Sequence, residues 1–229
     1  MLFMGQEKSS FVDYPNKICT VYFVGGCNFR CPYCHNGPLV KGEGRPITEA
    51  EAIGFLVKRK KYVDAVCISG GEPTLYEGIY DFIGKIKKEG FFVKLDTNGT
   101  NPKMVKRLLE ERLVDYMAMD IKAPLVKYDE VAGVHVPIEA IQETMAYMQR
   151  RAGLDYEFRT TVCKELLTKE DILEIAKGIK GTRRYTLQNF RDGTTVLGGA
   201  GKLHPFEIDL LEEVEKEIKG FFDTLIIRK

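Results

Sequence analysis

Three of the six cysteines fall in one short stretch, Cys27-Asn28-Phe29-Arg30-Cys31-Pro32-Tyr33-Cys34. CxxxCxxC spacing lets three sulfurs converge on one metal centre. A cubane iron–sulfur cluster held in this way would keep one iron open for a small molecule. A structural zinc site needs four closed ligands. The obvious fourth candidate, His35, directly follows Cys34 and is awkward to bring round to the same ion. The spacing therefore favours the cluster, with zinc and unligated thiols as the alternatives. Cys19, Cys67 and Cys163 stand apart and read as small buried apolar residues.

Four further segments carry chemistry. In Ser69-Gly70-Gly71-Glu72-Pro73 the glycine pair lets backbone approach a ligand closely, and Glu72 can receive a ligand ammonium group. Asp96-Thr97-Asn98-Gly99 and Asp120-Ile121-Lys122 place carboxylates, an amide and an ammonium at the ends of apolar runs. Arg159 sits inside Phe158-Arg159-Thr160-Thr161-Val162, where a charged group needs a partner. Read alone, the first two are ordinary turns, since Asn-Gly favours a turn by itself. Asp120 and Lys122 alone read as a surface ion pair of little worth. Gln188 and Asn189 end a later apolar run and are weaker candidates.

Alternating elements must position these residues. Strand-like runs cover Ile18–Val24, Asp64–Ser69, Phe91–Thr97, Asp115–Ile121, Tyr156–Val162, Tyr185–Phe190 and Thr224–Ile227. Helices are expected between them. Thr48 with Glu51 forms a capping box, and Asn101-Pro102 an N-cap before a first-turn proline. Ile138, Ile141, Met145 and Met148 make a helical stripe. Thr168 caps another helix, and His204-Pro205 is expected to open the last, which carries Ile208, Leu211, Val214 and Ile218. The stripes are core faces. Such alternation implies a mostly parallel sheet with crossover helices. A closed eightfold barrel takes about 250 residues, so 229 residues suit an open, partial barrel or a doubly wound sheet in a single domain over 1–229. The chemistry-bearing segments follow strand C-termini, where parallel α/β folds bind ligands.

Composition narrows the classes. Lys plus Arg is 34 and Asp plus Glu 33, for a net charge of +1, so the totals give no case for nucleic acid or an anionic membrane. Apolar residues are 44%, without a run long enough to span a bilayer, and the first residues lack signal-peptide order. A cytoplasmic protein is expected. His135 and His204 are taken as structural or surface residues, and Lys58–Lys61 and Lys85–Lys88 as solvated helix faces.

CxxxCxxC after the first strand, with an aromatic at Tyr33 and Gly70-Gly71-Glu72-Pro73 after the second, resembles the radical S-adenosylmethionine (SAM) enzymes. The resemblance covers essentially the whole chain. It is closest to the activating enzymes of glycyl radical enzymes, and among these it most resembles the anaerobic ribonucleoside-triphosphate reductase activating proteins, with pyruvate formate-lyase activating enzyme near them. Ser10-Phe11-Val12-Asp13-Tyr14-Pro15 and Gly26 through Asn36 carry this closer likeness. Asn16 stands where that subfamily usually has glycine, and asparagine also tolerates a left-handed turn.

The resemblance implies an open (β/α)6 TIM-like barrel of the radical SAM type. It implies a 4Fe–4S cluster on Cys27, Cys31 and Cys34, with SAM chelating the open iron. Gly70, Gly71 and Glu72 would then hold the methionine amino end. Asp96 and Asn98 would face ribose and methionine, while Asp120, Lys122 and Arg159 would support the carboxylate or ribose. Tyr33 would pack near adenine, and Gln188 would contact adenine or ribose. A flavodoxin- or ferredoxin-type donor would reduce the cluster, and a 5′-deoxyadenosyl radical would take hydrogen from a glycine of a partner glycyl radical enzyme. Little chain is left for a lid or a second cluster domain, which suits a macromolecular substrate. Two alternatives are a small-molecule radical SAM enzyme, such as one like 7-carboxy-7-deazaguanine synthase, and a non-catalytic iron–sulfur or zinc-binding interaction protein.

Overall fold

A computed structural model describes residues 1–229. The elements, in chain order, are β1 (Leu2–Phe3), β2 (Gly5–Ser10), β3 (Cys19–Val24), α1 (Gly37–Val40), β4 (Ile47–Thr48), α2 (Glu49–Arg59), β5 (Ala65–Gly70), α3 (Gly78–Lys88), β6 (Phe92–Thr97), α4 (Pro102–Glu110) and β7 (Tyr116–Asp120). Then come α5 (Tyr128–Ala132), α6 (Ile138–Arg150), β8 (Asp155–Val162), α7 (Lys169–Gly178), β9 (Arg184–Asn189), α8 (Ile208–Ile218) and β10 (Thr224–Arg228). Packing divides them into two compact units. One comprises Met1–Asn28, Pro38–Ala118 and Ala140–Asp155; the other comprises Phe29–Gly37, Met119–Glu139 and Tyr156–Lys229.

In the first unit β3, β5 and β6 pair in parallel, with Cys19 opposite Ala65 and Ala65 opposite Phe92. Their apolar runs are buried on both faces, as parallel strands between helix layers require. Helix α3 lays Ile79, Phe82, Ile83 and Ile86 into the core. There Phe82 meets Phe3, itself packed on Tyr22, at ring separations of 4.7 and 4.9 Å. Helix α4 starts as its sequence implies, with Asn101 Oδ1 accepting the Met104 amide at 3.1 Å and Pro102 in the first turn. The same side chain donates to the Thr74 carbonyl at 2.7 Å, tying the helix start to the turn after β5.

In the second unit β8, β9 and β10 are parallel, with Phe158 opposite Tyr185 and Tyr185 opposite Leu225. Thr168 caps α7 in a full capping box with Asp171. Leu211, Val214 and Ile218 of α8 are buried.

The expected mostly parallel α/β architecture is thus met, and each of the seven strand-like runs forms a strand. Three differences stand out. Strand β2, absent from the sequence reading, pairs antiparallel with β3 at an edge. Its text, Gly5-Gln6-Glu7-Lys8-Ser9-Ser10, is polar because an edge strand needs no apolar face and uses charge to deter further pairing. Residues β1 and β4 form a two-residue antiparallel pair too short to carry a sequence pattern. Finally, the last helix begins at Ile208, not at His204-Pro205. Residues 203–207 stay outside the helix, where Glu165 accepts from the His204 amide at 2.9 Å and Asn189 binds the Phe206 backbone.

Asn101→Ala should lower unfolding stability by about 1–2 kcal/mol, since it removes the cap and orphans the Met104 amide. Urea unfolding followed by circular dichroism checks this.

Candidate functional site

In the first unit the site-bearing loops follow β3, β5 and β6. Gly70 adopts φ +112°, which only glycine takes readily. A Cβ on Gly71 would lie 1.6 Å from the Gly26 carbonyl oxygen. The Gly71 amide donates to Val24 O at 2.9 Å and the Glu72 amide to Gly26 O at 3.0 Å. The glycine pair therefore lets the β5 turn press, backbone to backbone, on the residues just before Cys27.

Glu72 is buried. Its Oε1 accepts from the Thr74 amide at 3.0 Å, the Thr74 hydroxyl at 2.6 Å and the Thr97 hydroxyl at 2.8 Å, and its Oε2 from the Asn98 amide at 2.7 Å. Burial pushes this carboxyl up, and the hydrogen bonds from Thr74, Asn98 and Thr97 oppose it. Asn98 Nδ2 donates to Asn28 Oδ1 at 2.8 Å and lies 4.0 Å from Cys27 Sγ. Asp96 takes the Ser69 hydroxyl at 3.0 Å and pairs with Lys94, a lysine that is 2% exposed.

In the second unit Cys31 and Cys34 are joined by a turn, the Cys34 amide donating to Cys31 O at 3.0 Å. All six cysteines are free thiols. Burial pushes the Cys31 and Cys34 thiols up, while the Lys122 ammonium pulls both the other way. The Tyr33 ring lies under that ammonium, 5.8 Å from it, and the Tyr33 hydroxyl is buried without a hydrogen-bond partner. At the end of β7, Asp120 accepts from Arg159 Nε at 2.9 Å and from Lys122 Nζ at 3.1 Å. Burial alone would raise the Asp120 carboxyl, yet Arg159 and Lys122 hold it well below the usual carboxylate range. Lys122 is correspondingly pushed far up, since the Asp120 charge outweighs burial. This is a charge cluster with side chains 13–29% exposed, in place of a surface pair.

Several expected residues therefore cluster by unit: Cys27, Gly70, Gly71, Glu72, Asp96 and Asn98 in the first, and Cys31, Tyr33, Cys34, Asp120, Lys122, Arg159 and Gln188 in the second. Gln188 lies in β9 opposite Thr161 and Arg228. Asn189 spends its amide on the Phe206 backbone at 2.9 and 3.0 Å. Cys19, Cys67 and Cys163 are buried as expected. His135 and His204 are exposed but paired with carboxylates, Asp129 at 2.8 Å and Glu165 at 2.7 Å, partners that their sequence neighbours do not announce.

Sequence reading missed Lys94, Ser69 and Thr74. A signal existed for Lys94, because it lies two residues before Asp96 in β6 and so shares its face. Cys27, Cys31 and Cys34 are reduced thiols of one short stretch, but their side chains are not gathered into a ready-made metal-binding group; the chemistry of the set, three soft sulfur donors, is of the kind an iron–sulfur cluster takes.

This chain is similar in sequence and fold to known proteins. The profile of the Radical SAM superfamily matches residues 21–179. The Methanocaldococcus jannaschii protein MJ1227, provisionally named a glycyl-radical enzyme activating enzyme, is 34% identical over 226 residues, covering 96% of this chain and 92% of its own. The pyruvate formate-lyase-activating enzyme of Clostridium pasteurianum is 34% identical over 122 residues, about half of each chain. Streptococcus suis SuiB bound to S-adenosylmethionine shares the fold, with a TM-score of 0.68 at 17% identity, over 90% of this chain and 48% of that one.

Asp120 contributes stability above its ordinary value of 3.8, and this is lost as pH falls toward its depressed folded value. Asp120→Asn should therefore destabilise by about 3–5 kcal/mol at pH 7, leaving Arg159 and Lys122 without their shared carboxylate. The gap to the parent should shrink below about pH 4. Urea midpoints across pH check both.

Proposed function

The chain belongs to the Radical SAM superfamily and is an enzyme of that superfamily; on that premise we propose that it is the cytoplasmic activase of a glycyl radical enzyme, working as one radical SAM domain over residues 1–229. Cys27, Cys31 and Cys34 would hold a 4Fe–4S cluster, and SAM would bind beside it. Such a cluster, reduced by a flavodoxin- or ferredoxin-type donor, would supply the electron for cleaving SAM to methionine and a 5′-deoxyadenosyl radical, and that radical would take hydrogen from a partner glycine. The observation that carries the activase reading is likeness to MJ1227 over nearly the full length of both chains.

The chain's own residues have distinct tasks in this reading. Gly70 and Gly71 bring the β5 turn against Val24 and Gly26, so that backbone amides and carbonyls are presented beside Cys27. Glu72 holds that turn and the β6 end in register from within. Its carboxylate is occupied by neighbours, so we assign it to shaping the methionine amino pocket. Asp96 and Asn98 extend the same edge toward ribose and methionine. Asp120 fixes Arg159 and Lys122, which receive the carboxylate or ribose hydroxyls as charge-assisted partners. Tyr33 would pack near adenine, and Gln188 would add a polar contact to adenine or ribose.

The test is anaerobic reconstitution with iron and sulfide, reduction, and assay of 5′-deoxyadenosine. About four irons per chain are expected, with SAM cleavage, and a glycyl radical by electron paramagnetic resonance when a glycyl radical enzyme of the source organism is added. Cys31→Ala should lose both bound iron and cleavage. One zinc and no iron would favour a metal scaffold. Rapid turnover of a small metabolite without a protein partner would replace the activase reading.

A further inference from the structure

Segment 190–206 runs from the end of β9 to the approach of α8, beyond the residues that the superfamily profile matches. Its base is closed by one side chain: Asn189 donates to Phe206 O at 3.0 Å and accepts the Phe206 amide at 2.9 Å. Its middle runs antiparallel along the cysteine loop. Gly198 N donates to Pro32 O at 2.8 Å, Leu197 N to Cys34 O at 2.9 Å, and Gly37 N to Thr195 O at 3.1 Å. On the near side the His35 ring stacks on Phe190, 5.5 Å apart at 18°, and His35 Nε2 bonds Arg191 O.

Both strands of this contact demand glycine. A Cβ on Gly198 would stand 2.9 Å from Pro32 O and 3.1 Å from Pro32 Cβ, and one on Gly37 would stand 2.5 Å from Thr195 O. The segment is also internally braced, with Asp192 accepting the Gly201 amide at 2.8 Å and Val196 buried.

We infer that segment 190–206, stapled by Asn189, is a clamp that positions Cys31 and Cys34, with Gly198 and Gly37 as the positioning residues that let it close. Segment 190–206 grips the cysteine loop through two of its carbonyls, one amide and the His35 ring, and not through its sulfurs. Loop backbone that must hold two soft ligands at a fixed spacing gains from such external restraint, because an unrestrained loop pays its ordering entropy when metal binds. The inference rests on the cluster reading for its purpose, but not for its existence.

The experiment uses the full chain. Hydrogen–deuterium exchange of the cluster-free protein is compared for the parent, Gly198→Val, Asn189→Ala and Gly193→Ala, a glycine with open space around it and no positive φ. Iron per chain is then measured after reconstitution. Gly198→Val and Asn189→Ala should speed exchange at Gly37, Leu197 and Gly198 by about tenfold, roughly the protection lost with a hydrogen bond. Peptides of β5 and β8 should be unchanged, which separates a local opening from general unfolding. Iron uptake in these two variants should fall below half of the parent's, and Gly193→Ala should match the parent. Unchanged exchange at Gly37 overturns the clamp. Faster exchange with full iron uptake overturns its positioning role. A parent that takes up no iron defeats the cluster reading, while exchange still decides the clamp.

Discussion

A carboxylate removed from water must recover its hydration from fixed donors, and Glu72 recovers it from the Thr74 amide and hydroxyl, the Thr97 hydroxyl and the Asn98 amide. These donors come from the turn after β5 and from the end of β6. One buried group therefore sets the spacing of two strand ends. That spacing lets Gly71 and Glu72 donate to Val24 and Gly26, which fixes the backbone from which the cysteine loop departs. Without it, the glycine pair would have no surface to press against, and Asn98 would lose its placement by Cys27.

The second unit solves a comparable problem with charge. Asp120 binds both Arg159 and Lys122, and the excess of cation over anion leaves the cluster net positive. Such an edge attracts carboxylates, and its Lys122 ammonium partly offsets the burial that keeps Cys31 and Cys34 protonated. The pairing is what keeps two cations ordered at partly buried positions, where an unpaired charge would cost far more than a surface ion pair returns. Arg159 in mid-strand is thus explained by its neighbour on β7 rather than by exposure.

The clamp formed by segment 190–206 extends the same logic to the backbone. The loop that carries Cys31 and Cys34 has few internal hydrogen bonds of its own; Cys34 N to Cys31 O is one. Restraint has to come from elsewhere in the chain, and it comes from the stretch after β9 through three main-chain hydrogen bonds and the His35–Phe190 stack. Residues outside the superfamily match therefore bear on the cysteine loop inside it.

Much was legible in the residue order by itself. CxxxCxxC spacing, the glycine pair before Glu72, the caps at Thr48, Asn101 and Thr168, and the apolar stripes of α6 and α8 are local facts, set by short-range sterics and hydrogen bonding. Asn16 shows this well: its φ of 60° is the left-handed turn that asparagine tolerates. The apolar runs of β3 and of β5 through β9 were equally plain, because burial on both faces leaves a continuous pattern. Only the tertiary structure decided the polar edge strand β2, the pairing of Lys94 with Asp96, the enclosure of Glu72, the partners of His135 and His204, and the staple at Asn189. Each depends on which distant groups arrive beside a side chain, and a hydrogen bond or ion pair across strands leaves no periodicity in the sequence. The delayed start of α8 has the same cause, since His204 and Phe206 are captured by Glu165 and Asn189 before helical bonding can begin.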